Sequence, residues 1–196
     1  IAKAQALARP LLEHVLLEDG ENAYQHACAA AAILRQAHAP ALLEAAMVLA
    51  MVAQIDDDAV PSIETAFGAS VASLVHGTKQ LAKLETTARS AASAQHDQSG
   101  VRTERVRRML LAFSRDLRGV LLHLASRLQS MCWHVQQGVP YSLTLAQEAL
   151  TLLAPMANRF GVWSLKWELE DLAFRTTQPE AYAEVAGAVE ATREQR

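Results

Sequence analysis

The 196-residue sequence has few cysteines, little net charge and no long hydrophobic run, and so lacks the features of disulfide-rich, nucleic-acid-binding and membrane proteins. Its 2 cysteines, Cys28 and Cys132, have apolar neighbours and form no CxxC pair, so we expect small reduced core thiols in a cytoplasmic protein. A net charge of -3 gives no reason to expect direct nucleic-acid binding. The longest apolar run, residues 45–53, is far shorter than the roughly 20 residues of a membrane-spanning helix. We therefore expect no membrane association and a buried helix at that run.

The common catalytic motifs are also missing. No glycine-rich segment precedes a predicted helix to hold phosphate, and no HExxH motif places two metal ligands on one helix. None of the 7 histidines lies three or four residues from another, so no helical face carries a histidine pair. A metal site assembled from distant positions stays open. The acidic run at residues 56–58 could bind a hard cation, but it lacks the ligand pattern of a calcium loop, and we interpret it as a loop that caps the next helix.

What the sequence does contain is alanine and leucine, with few β-branched residues, which favours an all-α fold. Asn22 is the expected cap of the second helix, Pro155 should kink or break the eighth, and the third is apolar nearly all round and should be central. Residues 86–100 are small and polar, which indicates a mobile loop. We predict about nine or ten helices, over residues 2–17, 23–37, 40–54, 61–67, 69–84, 101–113, 117–136, 141–159 and 163–174 and from residue 179 onward.

Two surface clusters are candidates for binding. Arg102, Arg105, Arg107 and Arg108 form a basic helix face, which could contact phosphate or simply be solvated. Trp163 and Trp167 lie one helical turn apart and share a face, so core packing or a domain interface explains them better than base stacking. From the residues alone, the chain is an α-helical domain with no complete catalytic set.

Two longer stretches carry a resemblance to a known family. Residues 107–127 read RRMLLAFSRDLRGVLLHLASR and residues 153–175 read LAPMANRFGVWSLKWELEDLAFR. Both look like the hydrolase domain of RelA/SpoT-type proteins, and residues 67–81 echo the same domain. The resemblance implies an all-helical HD-domain bundle. Active members of this family remove the 3′-diphosphate of (p)ppGpp with Mn²⁺, held by a lone His, an HD pair and a later Asp, while an ED pair assists the chemistry.

Carried over position by position, this resemblance implies a degenerate site. The lone His is His26, whereas the HD pair falls on Ala50 and Met51, and the later Asp falls on Ser126. The family's ED pair falls on Gln54 and Ile55. Because one of four metal ligands is retained, we expect His26 to be vestigial, no catalytic residue, and no metal or other cofactor. For a nucleotide that binds without cleavage, the weak ligand candidates are Arg107, Arg108 and Ser130.

The family's organisation also implies a larger parent protein. The chain starts with Ile rather than Met and lacks a signal-peptide layout, so we expect a piece of a longer chain. Residues 1–178 would be the degenerate hydrolase domain, and residues 179–196 the start of a connection to a synthetase domain. The implied function is a regulatory domain of a RelA-type GTP pyrophosphokinase in the stringent response. Its expected partner is that synthetase domain.

Several alternatives remain from the sequence. The domain could bind guanine nucleotides without cleaving them, or retain metal-dependent (p)ppGpp hydrolase activity. It could also be a divergent enzyme that uses His26 with Asp56 or Asp58 and a metal. A homodimer formed through the Trp163/Trp167 face is the purely structural alternative.

Overall fold

A computed structural model of the protein describes residues 1–94 and 116–194, and these residues are almost entirely helical. The α-helices are α1 (Ala2–Leu12), α2 (Ala23–Gln36), α3 (Ala41–Ile55), α4 (Ala59–Phe67), α5 (Ala69–Ala94), α6 (Leu117–Gln137), α7 (Leu143–Glu148), α8 (Ala154–Arg159), α9 (Trp163–Thr177) and α10 (Pro179–Glu194). A π-helical segment, Ala149–Leu153, joins α7 to α8. Apart from one isolated bridge between Leu16 and Asn22, the described ranges contain no strand pairing, so the all-α prediction is confirmed.

The chain forms two compact units, residues 1–126 and residues 127–196, and α6 begins in the first and ends in the second. In the first unit, α3 is central and packs against α1, α2, α4 and α5. Every residue of α3 from Leu43 to Ala53 is buried, as its apolar sequence predicts. In the second unit, α9 packs against α7, α8 and the π-helical segment.

The prediction that the first helix runs to residue 17 is wrong, because α1 ends at Leu12. Backbone hydrogen bonds within the segment hold residues 13–22 in a compact loop instead. The amide of Leu17 donates to the carbonyl of Glu21 at 2.8 Å, and the amide of Ala23 donates to the carbonyl of Val15 at 2.9 Å. The loop turns at Gly20, whose φ of 93° is accessible at little conformational energy because glycine has no Cβ atom. This loop brings Glu21 and Asn22 to the start of α2.

Asn22 caps α2 as predicted. Its side-chain oxygen accepts a hydrogen bond from the amide of Gln25 at 3.0 Å, and its side-chain NH₂ donates to the carbonyl of Glu13 at 2.8 Å. One side chain therefore satisfies the first turn of α2 and also ties the preceding loop to the end of α1. These two bonds fix where α2 begins, and with it the position of His26 in the first turn.

The predicted loop over residues 86–100 is wrong for its first part, since α5 continues to Ala94. The loop prediction rested on the absence of an apolar stripe in this segment. The segment is rich in alanine, however, and alanine has the highest intrinsic preference for helix. Residues 95–100 lie outside the described residues, as does the helix predicted over residues 101–113.

Two details of sequence chemistry shape the remaining connections. Pro155 has no N–H to donate to a helical hydrogen bond. The π-helical segment, which ends two residues before Pro155, interrupts the regular α-helix there. The predicted kink or break is therefore present. Cys28 and Cys132 are partly buried rather than fully enclosed, so their predicted place in the core is wrong. No helix in the described ranges has both the length and the apolar content needed to cross a membrane.

Candidate functional site

The predicted site residue His26 is buried in the first turn of α2 and makes two hydrogen bonds through its ring. Nδ1 lies 2.7 Å from Oε2 of Glu21, and Nε2 lies 2.9 Å from Oγ of Ser126. His26 and Ser126 are 100 positions apart in the sequence, on α2 and α6. The structure thus brings together two of the positions that the family resemblance assigned to one metal site.

Glu21 is the site residue that sequence reasoning missed. Its side chain is 1 % exposed and that of His26 is 2 % exposed, so the pair is sealed from solvent. A carboxylate on the second ring nitrogen is the usual support of a metal-binding histidine, because it fixes the tautomer and the orientation of the ring. The signal available in the sequence was that Glu21 is the carboxylate nearest to His26 along the chain.

The residues that the family resemblance places at the HD and ED positions differ in burial along α3. Ala50 and Met51 belong to the buried core of the first unit, packed among other apolar side chains. Gln54 is exposed, and so is Ile55, both at the end of the same helix. The HD positions are therefore part of the hydrophobic packing, whereas the ED positions face solvent.

This set of side chains does not fit a divalent metal ion. His26 offers one imidazole, whose Nε2 already contacts the Ser126 hydroxyl, while Ala50 and Met51 supply no hard donor. Mn²⁺ prefers several oxygen or imidazole ligands, and a serine hydroxyl replaces a carboxylate poorly. Across residues 1–94 and 116–194, no three His, Cys, Asp or Glu side chains are grouped so that they could hold a metal.

The acidic run at residues 56–58 has a different role from the one predicted. Asp58 occupies the N-cap position of α4, but its side chain makes no capping hydrogen bond. Asp57 instead accepts from Lys79 at 2.8 Å and from Lys83 at 2.9 Å. Hydrogen bonds from these two ammonium groups lower the pKa of Asp57 to about 2. The loop is held by α5 through two lysines, and the predicted cap is wrong.

The remaining predicted residues are spread over other parts of the chain. Ser130 lies one turn after Ser126 on α6 and is partly exposed. Trp163 and Trp167 on α9 are 55 % and 62 % exposed, so core packing within this chain does not explain them. The ammonium of Lys166 lies 4.4 Å from the centre of the Trp167 ring. Arg102, Arg105, Arg107 and Arg108 lie outside the described residues.

Comparison with known proteins agrees with this reading of the fold. The family model described as HD domain matches residues 4–163, which is most of the chain. The chain belongs to the HD domain family.

Relatives of this HD domain are named as pyrophosphohydrolases or as GTP pyrophosphokinases. It is 32 % identical over 189 residues to the "probable guanosine-3′,5′-bis(diphosphate) 3′-pyrophosphohydrolase" of Synechocystis, a match that covers 96 % of this chain and 24 % of the relative. It is 32 % identical over 169 residues to the "GTP pyrophosphokinase rsh" of Brucella ovis, covering 85 % of this chain and 21 % of that protein.

A third relative, the guanosine-3′,5′-bis(diphosphate) 3′-pyrophosphohydrolase of Haemophilus influenzae, is 32 % identical over 193 residues, covering 97 % of this chain and 27 % of the relative. This chain is an HD-type domain of the RelA/SpoT family, and it spans about a quarter of the length of the relatives it matches. Since relatives of both names match equally well, their names do not decide between hydrolase and synthetase function.

Proposed function

We propose that this HD domain no longer hydrolyses (p)ppGpp and acts as a regulatory domain of a RelA-type GTP pyrophosphokinase. The observation that carries the proposal is the 2.9 Å hydrogen bond between Nε2 of His26 and Oγ of Ser126. It supports the position-by-position transfer from the family, because that transfer places these two distant residues at one metal site. At that site the later carboxylate ligand is now a hydroxyl.

The chemistry of hydrolysis in this family depends on a metal that makes a nucleophile from bound water. Ala50 and Met51 replace the HD pair with side chains that pack in the core and offer no hard ligand. Gln54 and Ile55 replace the acid–base pair with groups that cannot transfer a proton near neutral pH. Each replacement removes a separate requirement of the reaction, so a single compensating change would not restore it.

A regulatory role follows from what the domain retains. The helical framework around α9 is intact, and two large aromatic side chains on it, Trp163 and Trp167, face solvent in this chain. Because the chain spans about a quarter of its relatives, a synthetase domain in the same parent protein is the natural partner of this face. Contact there would couple the state of the helical domain to synthesis as a free energy between two sites.

Two other functions each have one supporting observation. Residual metal-dependent hydrolysis is favoured by Glu21, whose carboxylate contacts Nδ1 of His26 in the way that carboxylates commonly orient metal-binding histidines. Binding of a guanine nucleotide without cleavage is favoured by Ser130, which is partly exposed beside the former metal position on α6. Calorimetry with (p)ppGpp, GDP and GTP separates these cases, since heat without product release indicates binding alone.

The regulatory proposal is tested in the full parent protein with Trp163→Ala and Trp167→Ala together. We expect the rate of (p)ppGpp synthesis, or its activation, to change by at least about fivefold, the lower end of typical coupling between sites. The matched control is Leu143→Ala, which removes an exposed apolar side chain, 53 % accessible, from α7 and should leave both the rate and its activation unchanged. An unchanged rate and unchanged activation in the double variant would contradict the proposed regulatory contact.

A further inference from the structure

Glu21, His26 and Ser126 form a line of hydrogen bonds in which the imidazole lies between a carboxylate and a hydroxyl. A carboxylate oxygen lies 2.7 Å from Nδ1 of the imidazole, and a serine hydroxyl lies 2.9 Å from Nε2. Acid on Nδ1 and hydroxyl on Nε2 is the connectivity of the Ser–His–acid sets that perform nucleophilic catalysis. Such sets recur on unrelated folds and are recognised by geometry and roles rather than by sequence position.

We propose that Ser126 is a nucleophilic serine that accepts an acyl or phosphonyl group from an activated ester, with His26 as its general base and Glu21 as the residue that positions His26. The site needs no metal. It goes beyond the proposed regulatory function and does not depend on it, because it uses the residues that took the place of the former metal site.

The acid and the base of this set are buried, whereas the serine is partly exposed, as attack on a reagent from solvent requires. Glu21 and His26 are almost completely buried, so the carboxylate–imidazole bond is protected from competition with water. When Nδ1–H donates to Glu21, the lone pair of Nε2 points at the Ser126 hydroxyl. Ser126 is the one partly exposed residue of the three, so a small reagent from solvent would approach the set from its side.

The position of Ser126 in its helix is also informative. A serine inside a helix often bonds its hydroxyl to the carbonyl one turn earlier. Here the hydroxyl lies within hydrogen-bond distance of an imidazole on a different helix. That contact joins nucleophile and base at the separation expected for proton transfer.

The proposed step is a substitution in which atoms and charges balance. Oγ of Ser126 attacks the phosphorus of a fluorophosphonate, the P–F bond breaks, and the hydroxyl proton passes to Nε2 of His26 while fluoride leaves. With an activated carboxylic ester, the same attack forms an acyl-serine and releases the alcohol, which takes the proton. These three side chains supply attack and proton transfer but no donor for an oxyanion, so the proposal is confined to reagents with good leaving groups.

The test is covalent labelling of the folded 196-residue chain with a fluorophosphonate probe, followed by peptide mass mapping. We expect one label, on Ser126, whose rate of formation falls roughly a hundredfold in His26→Gln, the lower range for loss of a general base. Glu21→Gln should slow labelling less, and Ser126→Ala should remove it. Ser73→Ala, which removes an exposed serine hydroxyl from α5 in the same unit, is the matched control and should label at the wild-type rate.

Two results would overturn the proposal. One is wild-type protein whose Ser126 stays unlabelled, or is labelled no faster when folded than when unfolded in urea, a result that requires no variant to fold. The other is an unchanged labelling rate in His26→Gln of native circular dichroism, which would reduce Ser126 to a polar neighbour that satisfies the buried imidazole. Neither measurement involves Mn²⁺ or (p)ppGpp, so failure here leaves the proposed regulatory function to its own test.

Discussion

His38 is the one described non-glycine residue with positive φ, at 57°, and it lies just beyond the end of α2. The amide of Ala39 donates to the carbonyl of Leu34 at 2.9 Å, and that of His38 donates to the carbonyl of Arg35 at 3.0 Å. These are the two bonds of a Schellman motif. The same motif ends α8, where the amide of Val162 donates to Ala157 at 2.9 Å and Gly161 takes the positive φ, at 72°.

We predict that His38→Gly stabilises the protein by about 1 kcal/mol, because a left-handed backbone is strained for a side chain with a Cβ atom. The reciprocal change, Gly161→Ala, should destabilise it by a similar amount for the same reason. Both are measured by urea denaturation. A loss of stability in His38→Gly would show that the imidazole makes a contact worth more than the strain it imposes.

The carboxylate of Asp57 makes the stability of the folded protein depend on pH. Its pKa in the folded protein is about 2, below the ordinary value of 3.8, because Lys79 and Lys83 hydrogen-bond to it. The unfolded chain then binds more protons in this range, so the stabilisation is present above about pH 4 and is lost as the pH falls toward 2.

Asp57→Asn should therefore make the stability of the protein less steeply dependent on pH between 4 and 2. Thermal denaturation followed at several pH values in this window measures the effect. Asp58→Asn is the control for removing a carboxylate from the same loop. An equally steep loss of stability in Asp57→Asn and wild type would contradict the assigned ion pairs.

At the scale of elements, the sequence predicted where helices begin better than where they end. Asn22 and Pro179 mark helix starts through their own side chains, and both predictions are confirmed. The end of α1 was wrong because the apolar spacing of Leu12 and Val15 continues a helical pattern through it. Backbone hydrogen bonds from Leu17 and Ala23 close a loop there instead, and the spacing of apolar residues carries no information about such bonds.

We predict that Asn22→Ala lowers the melting temperature by about 3–6 °C, since loss of a cap costs about 1–2 kcal/mol in a domain of this size. Asn22→Asp is the informative partner variant. It keeps an oxygen for the amide of Gln25 but loses the NH₂ that donates to Glu13, so its melting temperature should lie between those of Ala and wild type. Differential scanning calorimetry measures all three, and a wild-type melting temperature for Asn22→Ala would contradict the capping role.

For the whole molecule, the family resemblance predicted more than the residues alone. It indicated that His26 and Ser126 belong to one site, and the structure places them in hydrogen-bond contact. It did not indicate Glu21, because the role of this residue depends on how the loop of residues 13–22 folds back on α2. The burial of Ala50 and Met51 could be predicted from the apolar sequence of α3 without any relative.

The two compact units of the chain contain different candidate functional residues. The first contains the positions that the family resemblance assigns to a metal site, and the hydrogen-bonded residues Glu21, His26 and Ser126. The second contains Trp163 and Trp167, whose exposure supports the proposed contact with a synthetase domain. We propose that hydrolytic function has been lost from the first unit and that the second provides a surface for contact with the synthetase domain.

The proposed loss of metal-dependent hydrolysis is tested by measuring the release of pyrophosphate from labelled (p)ppGpp by the purified protein with Mn²⁺. The Haemophilus influenzae relative, named as the 3′-pyrophosphohydrolase, is the positive control in the same assay. We predict no turnover above the rate without protein. Turnover that requires Mn²⁺ and disappears in His26→Ala would contradict the claim, because it would mean that His26 still serves a working metal site.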